Sequence, residues 1–334
     1  MIFKTHVMIL TITMAIFCDS LSVLIYCSLR KGDELMKCYI PEHSGFCIGV
    51  ALAVEAAYEN INKSTYMFGE VVHNPSVISD LKNKGLKLVD SLDEIPEKCE
   101  ASILIRAHGV SENIISEAKE NGYIIIDKTC PRVKRVHDIA VDASSRGLDI
   151  IIVGTPNHPE VSGIVGWART QTIVLRDVDD AKKTVPNTRF SEKGVCMVAQ
   201  TTYNKAKYKE VYEYCSGVLS YVEFNDTICD ATAIRQEEIR RLATMVDSVI
   251  VVGGKASSNV TKLYEIASEY NNNTHHIESA IELYTADFTQ IDTVLIASGA
   301  STPEDSIREI IEYFRSFCLK NNREFEVVEL KQCI

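Results

Sequence analysis

Cys47, Cys130 and Cys229 recur in matched surroundings roughly a third of the chain apart: SGFCIGVALAVEAAYE, DKTCPRVKRVHDIA and DTICDATAIRQEEIRRLA. The pattern predicts a helix opening at each. A thiol at a helix N-terminus faces unpaired N–H groups and the positive end of the macrodipole, which favour the thiolate. A single cysteine is ordinarily a small buried hydrophobe. Three in matched contexts point instead to shared ligation of one soft metal centre. Three thiolates on a four-iron cubane leave one iron open, able to act as a Lewis acid while the cluster supplies electrons.

His73 in EVVHNPSVISDL, His108 in RAHGV and His158 in VGTPNHPE lie in polar loops that follow apolar runs. A lone histidine is usually a surface or satisfied core residue, but imidazoles grouped at strand ends can donate to phosphate oxygens. Ser257, Ser258 and Asn259 in GGKASSN, and Ser301 in ASGASTPED, sit at expected helix starts. Capping needs one such residue per helix, and SSN offers three adjacent polar groups that can also bind phosphate. Glu160, two residues beyond His158, is the nearest proton source in sequence to such a cavity, and Thr201 in QTTYN can position that proton. His137 lies inside a cysteine helix and His275 and His276 lie in an Asn-rich turn, so they are given no role.

Short β-branched runs alternating with amphipathic helices must position these groups, the pattern of parallel α/β units. ASILIRA, YIIID, DIIIVG, VCMVAQ, DSVIVVGG and DTVLIASG read as strands. The economical architecture is a trefoil of three similar α/β domains around a pseudo-threefold axis, each giving one cysteine and two polar loops to a central cavity. The expected domains are residues 36–130, 131–225 and 226–334. Open α/β sheets bind ligands beyond the carboxyl ends of their strands.

The composition, 46% hydrophobic and 24% charged over 334 residues, supports sizeable cores. A formal charge of -11 supplies no global field for nucleic acid or acidic lipid, so an anionic ligand must be held locally. The 11 cysteines form no CxxC pair and no repeating framework, which excludes a zinc ribbon and fits reduced thiols in the cytoplasm. GGK at Gly253 lacks the upstream half of a P-loop, and no GxGxxG occurs.

Residues 7–29 are apolar enough for a signal peptide or anchor, but Asp19 interrupts them. An acidic residue at mid-bilayer costs roughly 2.5 to 3.5 kcal/mol. Met36 opens MKCYIPEHSGFC, so residues 1–35 read as a leader outside the fold, with Met36 as the start.

GFCIGV at Gly45, EVVHN at Glu70, HGV at His108, TCP at Thr129, HPE at His158, QTT at Gln200, TIC at Thr227, SSN at Ser257 and GAS at Gly299 occur in an order that closely resembles the 4-hydroxy-3-methylbut-2-enyl diphosphate reductases. The resemblance runs from about residue 36 to the C-terminal region. It implies one oxygen-sensitive 4Fe-4S cluster held by Cys47, Cys130 and Cys229, whose open iron receives the substrate hydroxyl. It further implies diphosphate binding by His73, His108, His158, Ser257, Ser258, Asn259 and Ser301, and proton delivery by Glu160 with Thr201. The activity implied is reductive dehydroxylation to isopentenyl and dimethylallyl diphosphate, the last step of the methylerythritol phosphate pathway, with a ferredoxin or flavodoxin-type electron donor. A monomer is expected, since all three domains lie in one chain. The chain departs from the family at Leu52, usually Arg, and Ala256, usually Asn, and the first departure bears on redox potential or donor docking. Two rivals are a quinolinate synthase, also built from three domains with one cysteine each, and a binding protein with a cluster or zinc as a structural pin. The second leaves Glu160 without a purpose.

Overall fold

The computed structural model describes residues 35–61, 64–96 and 101–330. The most apolar runs become its innermost strands: DIIIV, VCMVA and SVIVV are buried at every position, as parallel strands covered on both faces must be. All six strand candidates named above are strands.

Three sheets result, and every pairing within them is parallel. The first contains β2 (Thr65–Phe68), β3 (Lys87–Val89), β4 (Ser102–Ile105) and β5 (Ile124–Asp127), in the order β3-β2-β4-β5. The second contains β6 (Asp149–Val153), β7 (Thr172–Leu175), β8 (Val195–Ala199) and β9 (Val222–Phe224), in the order β7-β6-β8-β9. The third contains β1 (Leu35–Ile40), β10 (Ser248–Val252), β11 (Thr274–Ile277), β12 (Thr293–Ser298) and β13 (Glu324–Glu329), in the order β11-β10-β12-β1-β13.

The first two sheets share one strand order, second-first-third-fourth, and the third repeats it with β1 in the fourth place and β13 added at the edge. This departs from the expected boundary at residue 36. Leu35 pairs with Glu324 and Met36 is fully buried among Ile250, Ile296 and Phe314, so the first described strand belongs with the last third of the chain. An apolar strand with two free edges is stable only inside a sheet, and β12 and β13 supply both neighbours. The expectation for a leader otherwise lies outside the described residues, as do Cys18, Cys27, Cys99 and Cys333.

Each cysteine follows a fourth-place strand and opens a helix that crosses to the next sheet. Helix α1 (Ile48–Glu59) leaves β1 and packs Ala53, Val54 and Ala57 against Met67 and Leu104 of the first sheet. The equivalent helix after β5 (Pro131–Ser145) packs Val136 and Ala140 against Ile150 and Val198 of the second. The one after β9 (Asp230–Leu242) packs against the helix Ser258–Tyr270, which covers the third sheet. Three crossovers at three sheet junctions bring the cysteines onto one cavity.

Candidate active site

Cys47, Cys130 and Cys229 are the N-cap residues of these helices, and none of their side chains makes a capping bond. Each donates its backbone N–H to the loop after a third-place strand: Cys47 to the Ala300 carbonyl (3.1 Å), Cys130 to Ala107 (3.0 Å) and Cys229 to Thr201 (2.9 Å). The three bonds are equivalent under the pseudo-threefold relation. All three thiols are free, half-buried and open on one cavity. Gly49 leaves space beside them, since a Cβ there would lie 2.7 Å from Cys130 Sγ. The helix terminus offsets only part of the cost of burial. Burial pushes the Cys130 thiol up; the N–H groups of Arg132 and Val133 pull it down, and the Cys47 and Cys229 charges raise it again. Soft donors with no disulfide partner, whose charges oppose one another at Cys130, fit a bridging metal centre, which removes the repulsion.

The cavity, about 720 Å³ of empty space including its open mouth, continues from the thiols to His73, His108 and His158. The six polar loops around it all follow the first- or third-place strands of the sheets, where the strand order reverses and helix N-termini face inward. The three imidazoles pack with ring centroids 4.9, 5.6 and 5.3 Å apart, and their nearest ring nitrogens lie within 4.8 Å of one another. Burial holds His73 below its usual range, with the Arg106 charge next in effect. Burial likewise takes His158 down to about 4 and His108 well below its usual range. A cation acting on all three disfavours a metal ion among them and favours an anion, whose arrival restores their protons.

Several atoms facing this end lack partners. His73 Nε2, His108 Nδ1 and both polar atoms of the Asn259 side chain are buried without a hydrogen bond. Such orphans are uncommon and fit groups awaiting a polar ligand. His158 Nδ1 accepts from the Glu160 N–H (3.2 Å), leaving Nε2 as the protonated, donating nitrogen of the neutral ring. Ser257 Oγ and Ser301 Oγ are 3.0 Å apart and Ser258 opens the helix beside them. Gly254 makes this convergence sterically achievable: a Cβ there would meet the His73 carbonyl oxygen at 2.1 Å.

Glu160 is 2% exposed, on the first turn of the helix Pro159–Trp167. Burial raises its carboxyl to about 7, while the Thr201 N–H (2.6 Å) and hydroxyl (3.0 Å) bond its two oxygens and hold it from rising further. The carboxyl thus gains and loses a proton near neutrality, as a general acid requires.

All twelve residues singled out in the sequence line this one cavity. Sequence reading missed their supports. Gln200 takes the Thr155 N–H on its oxygen (3.0 Å) and donates to Ser258 Oγ (3.0 Å), orienting that hydroxyl. Asn74 caps the helix Pro75–Asn83 with its oxygen and reaches the Ser301 carbonyl with its nitrogen (3.4 Å). Gln200 and Asn74 adjoin Thr201 and His73 in their motifs, so adjacency was the available signal. His137 packs on Trp167 with ring centroids 5.4 Å apart, away from the cavity. Leu52 and Ala256 are both exposed and neither lines it.

Residues 38–315 match the LytB protein family model. The chain belongs to the LytB family of 4-hydroxy-3-methylbut-2-enyl diphosphate reductases. It is 38% identical over 286 residues to the reductase of that name from Caldanaerobacter subterraneus, covering 84% of this chain and 97% of the relative. The Aquifex aeolicus reductase is 37% identical over 84% of this chain and 96% of its own length. Among solved structures, the Plasmodium falciparum reductase matches with TM-score 0.79 at 27% identity, covering 89% of this chain and 93% of that one. A second reductase structure, described as the terminal enzyme of the non-mevalonate pathway, matches with TM-score 0.61 at 36% identity over 84% of this chain and 99% of its own. The LytB fold in these structures is the same three-sheet α/β arrangement.

Proposed function

We propose that the cavity carries out the family's reaction with a 4Fe-4S cluster held by Cys47, Cys130 and Cys229. The chain is a 4-hydroxy-3-methylbut-2-enyl diphosphate reductase, yielding isopentenyl and dimethylallyl diphosphate. The observation that carries the site assignment is one continuous cavity with free thiols at one end, unpartnered imidazole and amide atoms at the other, and a carboxyl titrating near 7 between them in role.

When bound, the cluster supplies electrons and an open Lewis-acidic iron to the scissile C–O bond. His73, His108, His158, Ser257, Ser258, Asn259 and Ser301 hold the diphosphate, fixing the distance from the anion to the reacting carbon. Glu160 gives its proton to the departing hydroxyl, and Thr201 keeps the carboxyl aimed. The balance is one C–O bond broken, two electrons taken in, one proton leaving with the hydroxyl as water and one added to carbon. Buried walls around Glu160 keep bulk water from competing for the proton.

A ferredoxin or flavodoxin-type donor supplies the electrons. Ile48, beside Cys47, is 81% exposed, so little protein separates that ligand from an arriving partner. We place the enzyme in the cytoplasm as a monomer. Among the described residues no helix is long and apolar enough to cross a membrane. Family membership leaves no place for the quinolinate reading.

The test is anaerobic reconstitution of the full chain followed by assay with a chemical reductant. Conversion of 4-hydroxy-3-methylbut-2-enyl diphosphate to both five-carbon products is expected; an intact cluster without turnover would overturn the assignment.

A further inference from the structure

Of the three cysteine helices, only that of Cys229 carries a charge on its inner face six residues on. The equivalent residues are Ala53 after Cys47 and Val136 after Cys130, both buried and apolar, whereas the third is Arg235, 5% exposed. A guanidinium stays charged in proteins, so a cation is held inside a junction where its two counterparts are hydrocarbon.

Its contacts are to backbone. One terminal nitrogen donates to the Gly45 carbonyl (3.1 Å), two residues before Cys47, and the other to the Ala231 carbonyl (3.0 Å), two residues after Cys229. Gly45 is itself held at φ 76° and donates to Ser298 Oγ (2.8 Å). Thus one planar fork spans the two segments that present two of the three thiols. Arg235 Nε is buried without a partner. Burial lowers the basicity of the guanidinium, and the neighbouring Cys47, Glu238 and Cys229 charges raise it. Glu238 lies one turn further along, with one oxygen against His43 Nδ1 (2.9 Å) and the other buried and unpartnered.

A buried cation with no direct carboxylate bond acts on the charges nearest it. Here these are thiolates once iron is bound. Reduction adds one negative charge to the centre, so a fixed positive charge favours the reduced state and raises the potential, and a negative charge behind it does the opposite.

We propose that Arg235 is a positioning residue for the metal centre: it ties the Cys47 loop to the Cys229 helix and, opposed by Glu238, sets the cluster potential upward. This rests on the three-cysteine ligation proposed above. Glu238 thereby has a part without an ion of its own, although ligand atoms of Glu42, His43 and Glu238 lie within 4.8 Å of one another. A second cation beside the Arg235 charge is electrostatically opposed.

The experiment is an anaerobic redox titration with dithionite of the reconstituted full chain, read by electron paramagnetic resonance, for the wild type, Arg235→Gln, Arg235→Lys and Glu238→Gln. Arg235→Gln should lower the midpoint by about tenfold in the reduction equilibrium, ~59 mV for one electron. Arg235→Lys should recover most of that shift, and Glu238→Gln should move the midpoint the other way. An unchanged or raised midpoint in Arg235→Gln, or a lysine variant as low as the glutamine one, would overturn the electrostatic role. Should Arg235→Gln fail to fold, Glu238→Gln decides alone, and no upward shift refutes it. A wild type that binds no cluster overturns the ligand assignment and this role together, whereas a loaded wild type with unaltered variants overturns this role only.

Discussion

Glu160 and Thr201 form a pair whose pH behaviour follows from burial. A buried carboxyl resists ionisation, so Glu160 carries its proton up to about pH 7 and loses it above. In its proposed role as the acid of the reaction the protonated form is the active one, so kcat/KM should fall roughly tenfold per unit once pH exceeds that point. Thr201→Val removes the hydroxyl bond that stabilises the carboxylate, so the alkaline limb should move to higher pH. Glu160→Gln should cut kcat by about 10²–10⁴ with KM little changed, because the amide fills the same space without an acidic proton. At the other end of the cavity, Arg106 puts a positive charge near three imidazoles that are neutral without ligand. Arg106→Gln should weaken inorganic diphosphate about tenfold, roughly 1.4 kcal/mol, and flatten the salt dependence of its binding by calorimetry.

Helix N-termini do most of the work at the level of elements. Each cysteine follows a strand of one sheet by a short loop and caps a helix that packs on the next, so its position depends on two sheets at once. Close approach at these starts depends on missing side chains. Gly49→Ala forces an atom to 2.7 Å from Cys130 Sγ, and iron per chain after reconstitution should fall several-fold. Circular dichroism should change little, because Gly49 lies at the first turn of α1, where alanine is otherwise the better helix former. A variant that loads iron normally would show that the thiols have more room than this geometry allows.

For the whole molecule, the third sheet is assembled from both ends of the described chain. Met36 lies on β1 between β12 and β13, in a core that includes Cys38, Phe314 and Cys318. Met36→Ala should cost about 2–5 kcal/mol in denaturant unfolding. Because β1 anchors the loop that leads to Cys47, the same change should lower cluster retention, whereas an equally buried change such as Val195→Ala in the second sheet should spare Cys47. Equal iron loss in both would mean that the three sheets unfold as one unit before the centre is released.

The sequence by itself determined the parts that depend on local residue type. Short β-branched, almost wholly apolar runs such as DIIIV and SVIVV read as strands covered on both faces, and cysteine before a helical run, or SSN after an apolar strand, marks a helix N-terminus. Every residue picked on those grounds reached the cavity. Short or half-exposed strands such as TYMF and EFEVVE were not distinguishable from loops, since four to six residues carry too little periodicity. Tertiary structure alone decided which strand belongs to which sheet. The place of β1 between β12 and β13 is a pairing across nearly the whole chain, and no local signal encodes it. The same holds for the energetics of the site. Glutamate beside a strand end is usually solvated, and only enclosure raised Glu160 to about 7. No local signal sets Arg235 apart from the other charges of its helix, and packing alone joins it to the Cys47 and Cys229 segments.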